Sequence, residues 1–197
     1  PPIAVSIRGA QSGLAVLAGE RGWIPISGNF IPAADIAGHW PRYLEGAAQA
    51  DRHADPAIWR VARSVLVTKT AAQAEDMLAD PNGVFADYYY YLNTHMKLAS
   101  GQLAQPHDPA VERAEAVLKA RDLVVAGTRA QVLDQLIAFR EQIGDFGHLV
   151  ITGHDVAGQW PLWQQSFSCI AEQIAPRLSQ HMTMLRQPPR NRQAAAG

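Results

Sequence analysis

Cysteine is almost absent from this sequence. Its 197 residues include one, Cys169, so the chain closes no disulfide on itself and its fold cannot rest on cross-links. That usage fits a reducing compartment, and the cytoplasm is the expected location. No apolar run approaches the roughly 20 residues that a membrane-spanning helix needs, and no secretory signal pattern is visible. Excess charge of either sign is missing too. Seventeen Lys and Arg against 18 Asp and Glu leave a net charge of −1, which argues for neither a nucleic-acid partner nor an anionic membrane surface. Histidines and carboxylates fall at no recognisable metal-ligand spacing, and no fixed-period repeat is seen. The chain opens Pro1-Pro2 without Met, which suggests a trimmed start or a fragment of something longer.

What is present is an ordinary globular mixture, 48% hydrophobic and 18% charged, long enough for one domain with a real core. Short apolar, β-branched runs at 3–7, 23–27, 59–68 and 148–153 read as buried strands. Between them lie helical patterns at 12–21, 33–50 (Ile36, Trp40, Leu44, Ala47), 71–79, 83–99 and 110–120. Gly22 is a helix stop. Thr128 with Gln131 forms a capping box for a helix that Gly144 ends. A final helix is expected from about Pro161 to Leu178. Cys169, in the pattern of Phe167, Ile170 and Ile174, reads as core. His39 and Trp40, on a helix away from the strand ends, read as packing residues. The segment after Gln187, PPRNRQAAAG, has no core-forming residues and is expected to be disordered, its arginines solvated. Strand alternating with helix, four times over with an extra helical excursion after the third strand, predicts an α/β fold of parallel βαβ units. An open sheet and half of an eight-fold barrel both remain compatible with four strands.

In such folds ligands bind at the C-terminal ends of the strands. The first such end carries Gly9-Ala10-Gln11-Ser12-Gly13. The glycines admit close approach of a ligand to the backbone, Ser12 can cap the helix or donate a hydrogen bond, and the N–H groups of the first helical turn attract an anion. The loop is therefore a candidate phosphate site.

Four segments in this order, PPIAVSI…QSGLAVLAGERGWIPIS, GHWPRYLEGAAQA, VLVTKTAAQAEDML and AGTRAQVLDQLIAFREQIGDFGHLVITGHD, resemble the C-terminal half of a bacterial-luciferase-like flavin-dependent monooxygenase, in the branch of the limonene and diketocamphane monooxygenases. The resemblance covers roughly residues 1–180. It implies strands five to eight of a (β/α)8 TIM barrel, with a half-barrel domain over 1–182 and a disordered tail over 183–197. It implies FMN as cofactor, its phosphate held at Gln11, Ser12 and Gly13, the residues already singled out on physical grounds. Ser27, Asn29, His154 and Asp155, at other strand ends, become candidate flavin- or substrate-pocket residues. The tyrosine run 88–91 falls in the family's variable insertion, as an aromatic pocket wall or a packing surface. The implied reaction is oxygenation of a ketone, alkene or aldehyde by reduced FMN and oxygen, the flavin supplied by a separate NAD(P)H-dependent reductase. No catalytic residue is singled out. Because strands one to four are missing, the resemblance also implies uncovered apolar surface, to be closed by an N-terminal barrel half or a second copy of the chain. Two other readings stand beside it: a non-catalytic flavin-binding or assembly half-barrel, and an unrelated phosphate-binding α/β domain.

Overall fold

The structure is a computed structural model that describes residues 1–101, 108–154 and 158–186. The first half runs β1 (Ala4–Ile7), α1 (Gly13–Arg21), β2 (Ile24–Ser27), the short α2 (Ala33–Ile36), α3 (His39–Gln49) and β3 (Arg60–Val67). The second half runs α4 (Ala71–Ala79), α5 (Val84–Ala99), α6 (Pro109–Leu123), β4 (Val124–Gly127), α7 (Arg129–Ile143), β5 (His148–Ile151), α8 (Trp160–Cys169) and α9 (Ala175–Arg186). A π-helical turn, Ile170–Ile174, joins α8 to α9.

Three features depart from expectation. The helix expected over 33–50 is broken between α2 and α3, because Gly38 packs against the β1–α1 loop: a Cβ there would lie 2.6 Å from the Ala10 carbonyl oxygen. The strand β4 was not expected. It follows α6 with no intervening loop, and Val124 and Val125 pair with Ser64 and Val65. The last helix continues past Leu178 to Arg186, and the tail expected after Gln187 lies outside the described residues. The tyrosine run is helical as expected, within α5, and Thr128 and Gln131 make the reciprocal capping box of α7.

All strand pairings are parallel. The order β1-β2-β3 continues on β3 to both remaining strands, since Arg60–Arg63 pair with β5 and Ser64–Val67 with β4. Register then sorts the side chains onto two faces. Val5, Ile7, Ser27, Val61, Arg63 and Leu149 face α1, α3 and α7 and are buried or half-buried. Ala4, Ser6, Ile24, Ile26, Ala62, His148 and Val150 share the other face, where none is fully buried and Val150 is 40% exposed. Helices thus cover one face of the four-strand arc. The α5–α6 excursion covers the other only near the C-terminal strand ends, where Leu66 joins Phe85, Tyr89 and Trp163 in a core cluster.

The layer beneath the arc depends on α1 and α3 meeting backbone to backbone. A Cβ on Gly46 would stand 1.9 Å from the Val16 carbonyl oxygen, and one on Gly19 2.0 Å from that of Tyr43. Gly46→Ala should therefore force the helices apart and destabilise the fold by about 1–3 kcal/mol or more. Gly9→Ala, with nothing within 4 Å of the new Cβ, should stay within about 0.5 kcal/mol. Urea unfolding of the two variants checks both.

Candidate functional site

A parallel sheet brings the C-terminal ends of its strands to one edge, and there the chain gathers its polar groups. The β1–α1 loop closes as a tight turn, with Ser12 N–H donating to the Gly9 carbonyl at 3.0 Å. Ser12 is the N-cap of α1, yet its hydroxyl caps nothing, which leaves it free to bind. Gln11 and Gly13 are exposed and Ser12 half-buried. Open space surrounds Gly9 and Gly13. The first-turn N–H groups of the nine-residue α1 have no intrahelical acceptors and lie at the positive end of its dipole. Arg8, exposed, follows β1 directly. Its Nη2 lies 2.9 Å from Met96 Sδ and its guanidinium 5.8 Å from the Phe30 ring centre. Sequence reasoning passed over this cation beside the loop, although its position next to Gly9 was a usable signal.

Ser27, at the end of β2, turns under the helices and not into an open pocket. It is fully buried. Its Oγ accepts from Trp59 Nε1 at 2.9 Å and stands 2.8 Å from His39 Nδ1. His39, expected to pack away from the strand ends, is the first residue of α3 and reaches back to one. Trp40 stacks on Trp59 at 5.8 Å and closes this cluster. Arg63, buried against the Phe139 ring at 4.2 Å, points Nη1 toward the Gly28 carbonyl at 3.5 Å. Burial pulls that guanidinium down to about 10.

Asn29 and His154 do come together, through a residue that the sequence did not single out. Asn29 Nδ2 donates to Ser64 Oγ at 3.1 Å, and Ser64 Oγ lies 2.8 Å from His154 Nε2. Tyr88 completes the chain, its hydroxyl donating to Asn29 Oδ1 at 2.9 Å. The His154 ring sits among Phe85, Tyr88 and Trp163, at centroid distances of 5.1, 4.9 and 5.7 Å. Within the tyrosine run the packing role holds for Tyr89, buried in the core, while Tyr88 donates to Asn29 in the polar chain. Asp155 lies outside the described residues. No group of three or more His, Cys, Asp or Glu arranged for a metal ion occurs among the described residues, nor is any helix there long and apolar enough to cross a membrane.

Residues 1–145 match the family model described as luciferase-like monooxygenase. The chain belongs to that family. It is 30% identical over 183 residues to 4-hydroxyprotoasukamycin monooxygenase of Streptomyces nodosus subsp. asukaensis, a match covering 90% of this chain and 47% of the relative. To 3,6-diketocamphane 1,6-monooxygenase of Pseudomonas putida it is 26% identical over 182 residues, with the same two coverages, 90% and 47%. Its fold resembles the oxygenating constituent of 3,6-diketocamphane monooxygenase from the same organism, solved in complex with FMN, at a TM-score of 0.70 and 24% identity. That alignment covers 89% of this chain and 48% of the other. This member of the luciferase-like family thus spans about half the length of the curated relatives it matches. Its α/β arc corresponds to half of their barrel, and the sheet face left without helices is the face that a complete barrel encloses.

Both site histidines are held neutral. Burial pulls His39 and His154 from 6.5 to about 4, and Asp35 and the Gly9 backbone only partly restore His39. The unfolded chain takes up these two protons near pH 6.5 while the folded chain refuses them until about pH 4. Stability should therefore fall as pH drops through that window and gain nothing from these groups above it. Urea midpoints measured from pH 7.5 to 5 should show this slope, and the double variant His39→Gln/His154→Gln should flatten it.

Proposed function

We propose that this chain is the flavin-phosphate-holding half of an FMN-dependent monooxygenase that oxygenates a small organic substrate such as a ketone, alkene or aldehyde. The observation that carries the reading is the Gly9–Gly13 turn. It combines an unused Ser12 hydroxyl, open space at both glycines and the N-terminus of α1, a donor set suited to a phosphate dianion. Gln11, Ser12 and Gly13 would hold the phosphate, with Arg8 beside them as counter-charge. When bound, reduced FMN supplies the electrons that activate dioxygen for oxygen insertion, and the protein binds, orients and excludes water. Asn29 and His154, linked through Ser64 and flanked by Tyr88, Phe85 and Trp163, would provide neutral hydrogen-bonding groups in an apolar wall. Ser27 would support this wall from behind, and Asp155 is proposed as a further pocket residue beside His154.

The reading includes partners. The relative described as an oxygenating constituent supports a separate NAD(P)H-dependent flavin reductase, and the cytoplasm supplies both reductant and flavin. The uncovered sheet face calls for an N-terminal barrel half or a second copy of the chain, against the half-barrel unit at 1–182. That same face favours a second reading, a flavin-binding or assembly module without turnover. The two separate on substrate-dependent NAD(P)H and oxygen consumption, with a reductase and the complementary half added.

The phosphate loop is tested first by titrating the chain with FMN and with riboflavin, which lacks only the phosphate. FMN should bind more tightly, and Ser12→Ala should weaken FMN about five- to tenfold, close to one hydrogen bond to a charged group, with riboflavin unchanged. Equal affinity for both ligands would refute the assignment.

A further inference from the structure

Trp59 Nε1 can only donate, and its proton engages Ser27 Oγ at 2.9 Å. The Ser27 hydroxyl proton must then go elsewhere. Among the described residues the only other side-chain partner of Ser27 Oγ is His39 Nδ1, at 2.8 Å. Acceptance at Nδ1 is the arrangement that leaves no Ser27 hydroxyl proton unpaired, and a neutral imidazole that accepts at Nδ1 carries its proton on Nε2. That Nε2 is buried without a hydrogen-bond partner, in a residue only 1% exposed. A buried donor left unpaired costs about 1–3 kcal/mol, so it calls for an explanation.

The surroundings of His39 indicate the use. The Gly9 backbone already lies close enough to favour a proton on the ring as a hydrogen-bond acceptor, yet the contact falls short of a well-formed hydrogen bond to Nε2. Gly38, the preceding residue, is in close contact with Ala10 of the same loop. The Gly9 carbonyl already accepts from Ser12 N–H and has a second lone pair to offer.

We propose that His39 is the positioning residue of the Gly9–Gly13 loop, its proton forced onto Nε2 by Ser27 and offered to the loop backbone at Gly9. Occupation of the loop by an anion closes this last contact, and the buried cluster of Trp59, Ser27 and His39 then holds the turn in its binding form. The role deepens the phosphate-loop reading and rests on it.

The test uses the full chain labelled with 15N-histidine. Long-range 1H–15N spectra should show His39 with a pyrrole-type Nε2 and a pyridine-type Nδ1, and the reverse pattern overturns the proposal. The buried Nε2 proton should shift on addition of FMN and stay in place with riboflavin. In His39→Phe, FMN should bind about tenfold more weakly, about 1.4 kcal/mol, and riboflavin as before. Equal weakening of both ligands, or full retention of the preference for FMN, overturns the positioning role while the phosphate reading stands. A wild-type chain with no preference for FMN overturns the phosphate reading and the loop role together. Should His39→Phe fail to fold, the shift of the Nε2 proton in the wild-type chain still decides.

Discussion

Everything in this molecule hangs on β3. It alone pairs with three other strands, β2 and β5 along its first half and β4 along its second. Its alternating side chains divide the structure. Val61, Arg63 and Val65 point to the helical layer, where Trp59, Phe139, Val132 and Ile174 pack. Ser64 and Leu66 point to the side closed by α5 and α8. A slip of one residue in β3 would exchange these two sets. It would carry the Arg63 guanidinium into the polar chain and leave Ser64 against Phe139.

The candidate site is a consequence of that division. Parallel pairing puts every strand end on one edge, and two short polar clusters form there, each built on a buried serine. Ser27 links β2 to α3 through His39, and Ser64 links Asn29 to His154. In each, a hydroxyl engages one ring nitrogen of a buried imidazole that burial keeps uncharged. The loop after β1 is the contrasting element, exposed and with its serine hydroxyl unspent. Rigid buried clusters beside a loop with free donors are what a site needs when it must hold a ligand without collapsing on its own hydrogen bonds.

Much of this was legible in the sequence, and for local reasons. The apolar runs of β1, β2, β3 and β5, the capping box at Thr128 and Gln131, and the glycine after Arg21 each depend on a few neighbouring residues. The helical nature of VFADYYYYLNTHMKLA followed from its flanking Ala, Leu and Met in spite of four tyrosines. The Gly9–Gly13 loop could be recognised because a strand, a polar turn and a helix succeed one another within a few residues. The strand β4 was missed because Val124 and Val125 follow a helix directly, and a run so short becomes a strand only where β3 offers it a free backbone edge.

Nonlocal contacts account for the remainder. Ser64 sat unnoticed in a β-branched run, since nothing near it in the chain shows that Asn29 and His154 converge on it. His39 looked like a packing residue because its partner Ser27 lies 12 positions away, and Trp59, which donates to that serine, lies 32 positions from Ser27. The break at Gly38 arises from the approach of Ala10, 28 positions earlier in the numbering. Periodicity and turn chemistry are short-range and can be read along the chain, so they specified most of the elements, their order and the polar loop after β1. Burial, register and the direction of each hydrogen bond exist only between segments distant in sequence, so the pairing of polar groups, and with it the chemistry of the site, had to wait for the fold.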